Sequence, residues 1–150
     1  MYLTAFLLGG YMLNFENLDK FSFNIVDRTE MPTAFGRYEA VTNTVYCTPD
    51  IADRTVMAEN GGLGAVEYHE MWHLKQAYNF RKIGWEITKE NYPDYIKALI
   101  STSKGIVDKM GVSEYNVGAI SQYARLQWWQ GRYDEVEAEI MVKRRRKNGK

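Results

Sequence analysis

Hydrophobic and polar positions follow two rhythms along this chain. In the first half the apolar runs are short and close to alternating. Phe21, Phe23 and Ile25 interleave with Ser22, Asn24 and Val26 in a weak period-2 pattern. Residues 38–46 are rich in β-branched and aromatic side chains, which predicts one strand or a hairpin turning near Asn43. Pro49 and Asp50 end that segment. Asp50 can cap a short helix over residues 51–59, and Asn60-Gly61-Gly62 breaks the chain again. The apolar run Met1 to Leu13, interrupted by Gly9-Gly10, is expected to form a strand or an arm over the core.

The second half has helical periodicity. No proline falls between Gly64 and about Lys82, and apolar residues recur at helical spacing there. Pro93 suits the first turn of a second helix reaching about Met110, with Gly111 stopping it. A third helical stretch is expected over residues 115–130. Gly131 interrupts it, and a fourth helix begins near Tyr133 and runs into a basic tail. No repeat or linker is visible. Strands first and helices after predict an α+β fold in one domain, residues 1–142, followed by a tail over 143–150.

Composition narrows the function classes. The chain has 150 residues, 45% of them hydrophobic, which suits one domain with a packed core and excludes general disorder. Nineteen basic and nineteen acidic residues cancel, which argues against a generic nucleic-acid binder. Six of the basic residues lie in the last eight positions. Residues 1–142 therefore hold thirteen basic against nineteen acidic residues, a net −6. The basic run suits a helix C-terminus and is the one route to a nucleic acid or an acidic partner. Met1 to Leu13 is too short to span a bilayer, and no Lys or Arg precedes Lys20 to form a signal peptide's basic region. The expectation is a chain with no membrane association and a cytoplasmic location. Cys47 is the single cysteine, so no disulfide forms within the chain, and a small buried hydrophobe is expected there.

Both histidines fall in one pentapeptide, His69-Glu70-Met71-Trp72-His73. This is H-E-x-x-H in the middle of the strongest helical segment. Residues four apart stand on one helix face, so two imidazoles there can converge on one zinc ion at about 2.0–2.1 Å. Glu70 projects about 100° around the helix. Its carboxylate lies beside the metal rather than on it, where it can take a proton from an activated water. Two histidines placed at random would give this motif in roughly one chain in a thousand. Trp72, between the ligands, is expected to pack on the core.

A catalytic zinc needs a third protein ligand. No histidine remains, so the candidates are acidic. Tyr133-Asp134-Glu135-Val136-Glu137-Ala138-Glu139 holds four carboxylates. On a helix Glu135 and Glu139 share a face while Glu137 points away. Glu135 can then bind the metal and Glu139 can accept a hydrogen bond from a ligand imidazole. The alternative is a solvated acidic first turn, favourable at a helix N-terminus.

His69-Glu70-x-x-His73 followed by Glu135-x-x-Ala138-Glu139 resembles the gluzincin pattern of the anthrax lethal factor and Pro-Pro endopeptidase group. The resemblance implies a zincin-like metallopeptidase fold. It implies a small mixed or antiparallel N-terminal sheet whose edge strand, within residues 38–47, aligns a peptide. It implies one Zn2+ per chain on His69, His73 and Glu135, with Glu139 supporting a ligand histidine. Ser121-Gln122-Tyr123-Ala124-Arg125 is similar to the family's tyrosine-bearing segment, which makes Tyr123 the candidate oxyanion donor. The gap from Tyr123 to Glu135 is longer than the family's. Trp128 stands at the family's usual offset, and Tyr133 is a second candidate.

The implied activity is zinc-dependent peptide hydrolysis with Glu70 as general base and a peptide or protein as substrate. The second half also resembles zincin domains of phage minor head proteins. That likeness implies an alternative: a phage-particle assembly protein that binds zinc and contacts phage structural proteins. Of Trp128 and Trp129, whose side chains diverge by about 100° on a helix, one is expected to be buried and one exposed.

Overall fold

The computed structural model describes residues 21–27, 29–31, 36–48 and 65–148. The segments Met1–Leu13 and 51–59 lie outside the described residues. Three short strands, β1 (Ser22–Ile25), β2 (Gly36–Glu39) and β3 (Thr44–Cys47), precede four helices. These are α1 (Ala65–Lys82), α2 (Tyr92–Lys109), α3 (Gln122–Trp129) and α4 (Tyr133–Asn148), with a 3₁₀ turn at Val117–Ala119 before α3. The architecture is α+β, with a small mixed sheet.

Residues 38–46 are a hairpin, not one strand. β2 and β3 pair antiparallel with Glu39 opposite Thr44, and residues 40–43 form the turn. Asn43 closes it at φ 54°, a left-handed conformation that asparagine tolerates better than most residues. Its side-chain oxygen accepts from the Tyr38 hydroxyl at 2.5 Å and from Arg81 on α1 at 3.2 Å. Arg81 also donates to the Ala40 carbonyl, which ties the turn to the end of α1. β1 pairs parallel with β3 on its other side, Ser22 opposite Thr44. The strand order is thus β1-β3-β2, and β3 is central. This narrows the expected edge strand within 38–47. Residues 44–47 already share their backbone hydrogen bonds with two neighbours, so among the described residues only Tyr38 and Glu39 of that range stand in an edge strand.

α1 and α2 form over the segments that the periodicity predicts. The 115–130 stretch does not form one helix. Ser121 is extended (φ −170°, ψ 160°), and its hydroxyl accepts from the Ala124 amide at 2.9 Å. A serine that caps a helix end cannot also continue the helix before it, so α3 starts afresh at Gln122. At the other end of α3, Gly131 has φ 76°. The Arg132 amide reaches back to Gln127 O at 2.9 Å and the Gly131 amide to Trp128 O at 3.0 Å. This paired closure needs a left-handed residue, which glycine supplies without a Cβ clash. The reversal lays α4 back against α3, α2 and α1. α4 continues through the basic segment to Asn148.

Three apolar clusters hold the layers together. Phe21, Val45, Cys47, Tyr68, Met71, Leu74 and Val142 pack the sheet against α1 and α4, with Trp72 partly buried beside them. Ala40, Ala77, Phe80, Ile87, Tyr95 and Leu99 join the hairpin turn, α1 and α2. Val107, Val117, Ala124, Val136 and Ile140 join α2, α3 and α4, with Trp128 at their margin and Trp129 65% exposed. Ile25, at the end of the outer strand β1, is exposed despite its place in the alternating pattern. No helix among the described residues is long and apolar enough to cross a membrane.

Leu74 is 1% exposed in the first cluster. Truncation there removes buried methyl groups and leaves a cavity. Leu74→Ala is expected to lower stability by about 2–5 kcal/mol, measured by denaturant unfolding.

Candidate metal centre

α1 presents His69 and His73 on one face, and both imidazoles are buried against α4. The Nε2 atoms of the two rings lie 3.2 Å apart. Glu135, on the first turn of α4, reaches both. Its Oε1 lies 2.8 Å from His69 Nε2 and its Oε2 lies 3.1 Å from His73 Nε2. Two nitrogens and one carboxylate thus close a triangle of donors, and among the described residues this is the group suited to hold a metal ion. In a tetrahedral zinc site with bonds of about 2.0–2.1 Å, neighbouring donors stand about 3.3 Å apart. The observed edges are a few tenths of an ångström shorter. The donor set, two imidazole nitrogens and a carboxylate with solvent access, is also the one that a zinc centre with an open position uses. The residues fit a zinc ion.

Each imidazole is fixed from behind. His69 Nδ1 donates to Glu139 Oε2 at 2.7 Å. Glu139 is itself held by the Ser121 hydroxyl at 2.7 Å, so the residue that caps α3 also anchors a carboxylate of the site. His73 Nδ1 meets Gln76 Oε1 at 2.7 Å. These contacts leave both Nε2 atoms facing the centre. Arg132 forms a paired salt bridge with buried Asp134 at 2.7 and 3.0 Å and keeps its charge 3.8 Å from Glu135.

Glu70 is partly buried and lies outside the ligand triangle. It lines a cleft of about 180 Å³ together with His73, Tyr123 and Glu135. β2 forms one wall of this cleft. A Cβ at Gly36 would fall 2.9 Å from Val66 Cγ1 and 3.1 Å from Glu70 Cγ, so glycine lets the strand pass directly over the helix at Glu70. Tyr123, half-exposed on α3, donates its hydroxyl to Glu135 Oε1 at 3.0 Å, and its ring meets that of His69 edge-on. Tyr133 turns the other way. Its ring packs on Trp128 at 5.1 Å and under the Lys104 ammonium at 5.3 Å. The structure therefore brings together His69, Glu70, His73, Tyr123, Glu135 and Glu139, and leaves Trp128 and Tyr133 aside.

Charge explains the protonation pattern. Burial alone disfavours a charged His69. The hydrogen bonds of Glu135 and Glu139, with the charges of Glu70 and Glu135, outweigh it and push its pKa up to about 10. Burial lowers and the Glu135 carboxylate raises His73, with a net upward shift. Burial would raise Glu135 as well. The charges and hydrogen bonds of the two imidazoles hold it instead far below the usual carboxylate range. Burial raises Glu70, partly opposed by His69 and His73. Burial and the neighbouring Glu135 charge push the Tyr123 hydroxyl up, so it keeps its proton as a donor. Three carboxylates around two imidazoles demand positive charge at the centre.

Four contributors escaped the sequence reading. Gln76 follows His73 by one turn, and its spacing was a usable signal. Ser121 stood inside the expected 115–130 helix and is found instead as the cap of α3 and the partner of Glu139. Asp134 and Glu137 are only 2% and 4% exposed, where a solvated acidic turn was the alternative. Glu137 does point away from the two imidazoles, but into the interior. The chain matches no known protein family, no curated protein and no solved structure.

Two outcomes follow for metal binding. Glu135→Ala is expected to lose the metal, and Glu139→Ala to weaken zinc affinity by roughly 10–100-fold, measured by chelator competition. Protons and zinc also compete for His69. Its pKa is raised from 6.5 to about 10 in the metal-free protein. That stabilisation is complete below about pH 6.5 and disappears as pH rises towards 10. The melting temperature of chelated protein should therefore fall across that window, while the increment from added zinc grows.

Proposed function

We propose that this chain is a zinc-dependent metallopeptidase of the zincin type. One observation carries the reading. Two imidazole Nε2 atoms and the Glu135 carboxylate converge beside a cleft that also holds Glu70, Tyr123 and an outer strand. A purely structural metal site has no use for a glutamate held next to the ligands, nor for an open cleft.

Zinc held by His69, His73 and Glu135 would act as a Lewis acid on the scissile carbonyl and lower the pKa of water there towards about 7. Glu70 takes the proton from the attacking water and returns it to the leaving amine. Its raised pKa suits both halves of that task, since a stronger acid would hold the proton too weakly to act as base. Tyr123 retains its proton and donates a hydrogen bond to the oxygen on which negative charge develops. It exchanges its contact with Glu135 for that oxygen. The substrate backbone adds to the outer edge of β2, which aligns an extended peptide across Glu70 and the two imidazoles.

The test is cleavage of a peptide library by zinc-loaded protein. Glu70→Gln is expected to keep about one zinc per chain and to lose roughly 10²–10⁴-fold in kcat. Tyr123→Phe is expected to lose roughly 10²–10³-fold in kcat with zinc content unchanged. Zinc uptake by the wild-type chain with no cleavage of any peptide would favour an assembly role over catalysis.

A further inference from the structure

We infer that Glu137 is a positioning residue for the metal centre and acts on His73 through Gln76. The inference rests on the metal-site reading above. Glu137 lies on α4 between Glu135 and Glu139 but on the opposite face, 4% exposed. Three donors converge on its carboxylate. Trp72 Nε1 on α1 donates to Oε2 at 2.8 Å. Ser103 Oγ on α2 donates to Oε1 at 2.7 Å, and Gln76 Nε2 on α1 donates to the same oxygen at 3.2 Å. None of the three is charged. A carboxylate buried on neutral donors alone is expensive for a fold to keep, which asks for a reason.

The reason lies in the orientation of Gln76. A carboxamide has a donor end and an acceptor end. The Nε2 end of Gln76 faces two groups that only accept, Glu137 Oε1 and the Asp134 carbonyl at 3.2 Å. The Oε1 end must then face His73. An acceptor there requires the hydrogen of His73 on Nδ1, which leaves Nε2 as the ligating nitrogen, facing the centre. Reversing the amide would set a donor against that N–H and two acceptors against each other. Glu137, together with the Asp134 carbonyl, therefore selects one amide orientation, and through it one presentation of His73. The two imidazoles are backed differently: His69 directly by a carboxylate, His73 by a neutral amide with the carboxylate one step behind. Trp72 and Ser103 tie this relay to the packing of α1, α2 and α4.

The experiment is zinc affinity by chelator competition, with the fold of each metal-free variant checked by thermal melting. Glu137→Gln keeps the shape but gains a donor end, so only the Asp134 carbonyl is left to hold the Gln76 amide. Zinc affinity is expected to fall about tenfold or more. Gln76→Glu alone sets two buried carboxylates together and is expected to fall at least as far. The exchange Glu137→Gln with Gln76→Glu restores an acceptor at His73 and a donor behind it. A carboxylate oxygen then faces the Asp134 carbonyl, so recovery is expected to be partial, to about threefold above either single variant. A merely structural role for Glu137 predicts no such recovery.

Folded Glu137→Gln with wild-type zinc affinity, or an exchange no better than either single change, overturns the inference and leaves the metal site standing. A wild-type chain that takes up no zinc overturns both. Should Glu137→Gln fail to fold, Trp72→Phe and Ser103→Ala each remove one donor to Glu137. Weakened zinc affinity in folded forms of these supports the relay, and unchanged affinity in both overturns it.

Discussion

Glu135 stands between two imidazoles that α1 presents one turn apart, and the geometry of the second half of the chain serves that encounter. The ligand face of α1 is set by helical spacing alone. Its third partner comes from a helix 66 residues further on, at 2.8 Å from His69. At that range, away from bulk water, charge interactions are strong and a misplaced or unpaired group is costly. The fold therefore has to deliver α4 at the right height and rotation. The turn at Gly131 reverses the chain, and Val136 and Ile140 seat α4 against α2 and α3. Val142 seats it against α1 and the sheet.

One acidic run on α4 serves three purposes because a helix turns by about 100° per residue. Glu135 faces both imidazoles, Glu139 backs His69 one turn later, and Glu137 enters the interior between α1 and α2. Asp134 is buried with Arg132 instead. The same four carboxylates in a solvated first turn would do little beyond favouring the helix dipole. Their roles come from the different surroundings that each direction meets.

The sheet contributes position rather than chemistry. β3 takes the centre, and that leaves β2 on the outside beside α1. Gly36 then brings its backbone close over Glu70. A short hairpin anchored by Asn43 and Arg81 thus becomes one wall of the cleft, opposite Tyr123 on α3. A peptide laid along that edge would pass Glu70 and the imidazoles together.

Much of this was legible in the sequence. The H-E-x-x-H spacing set His69, Glu70 and His73 on one helix, with the two imidazoles on one face. The i, i+4 spacing of Glu135 and Glu139 set them on a common face, and glycines marked where helices stop. Such features are local, because backbone geometry over four or five residues ties them to the sequence without help from the rest of the chain. The remainder was decided by packing. Which strand is central, that Ser121 breaks a helical stretch while holding Glu139, and that Tyr123 rather than Tyr133 faces the imidazoles all depend on contacts between distant segments. So does the burial of Glu137 among Trp72, Gln76 and Ser103. A sequence states which face a side chain occupies on its own helix, but only the assembled core decides what that face meets.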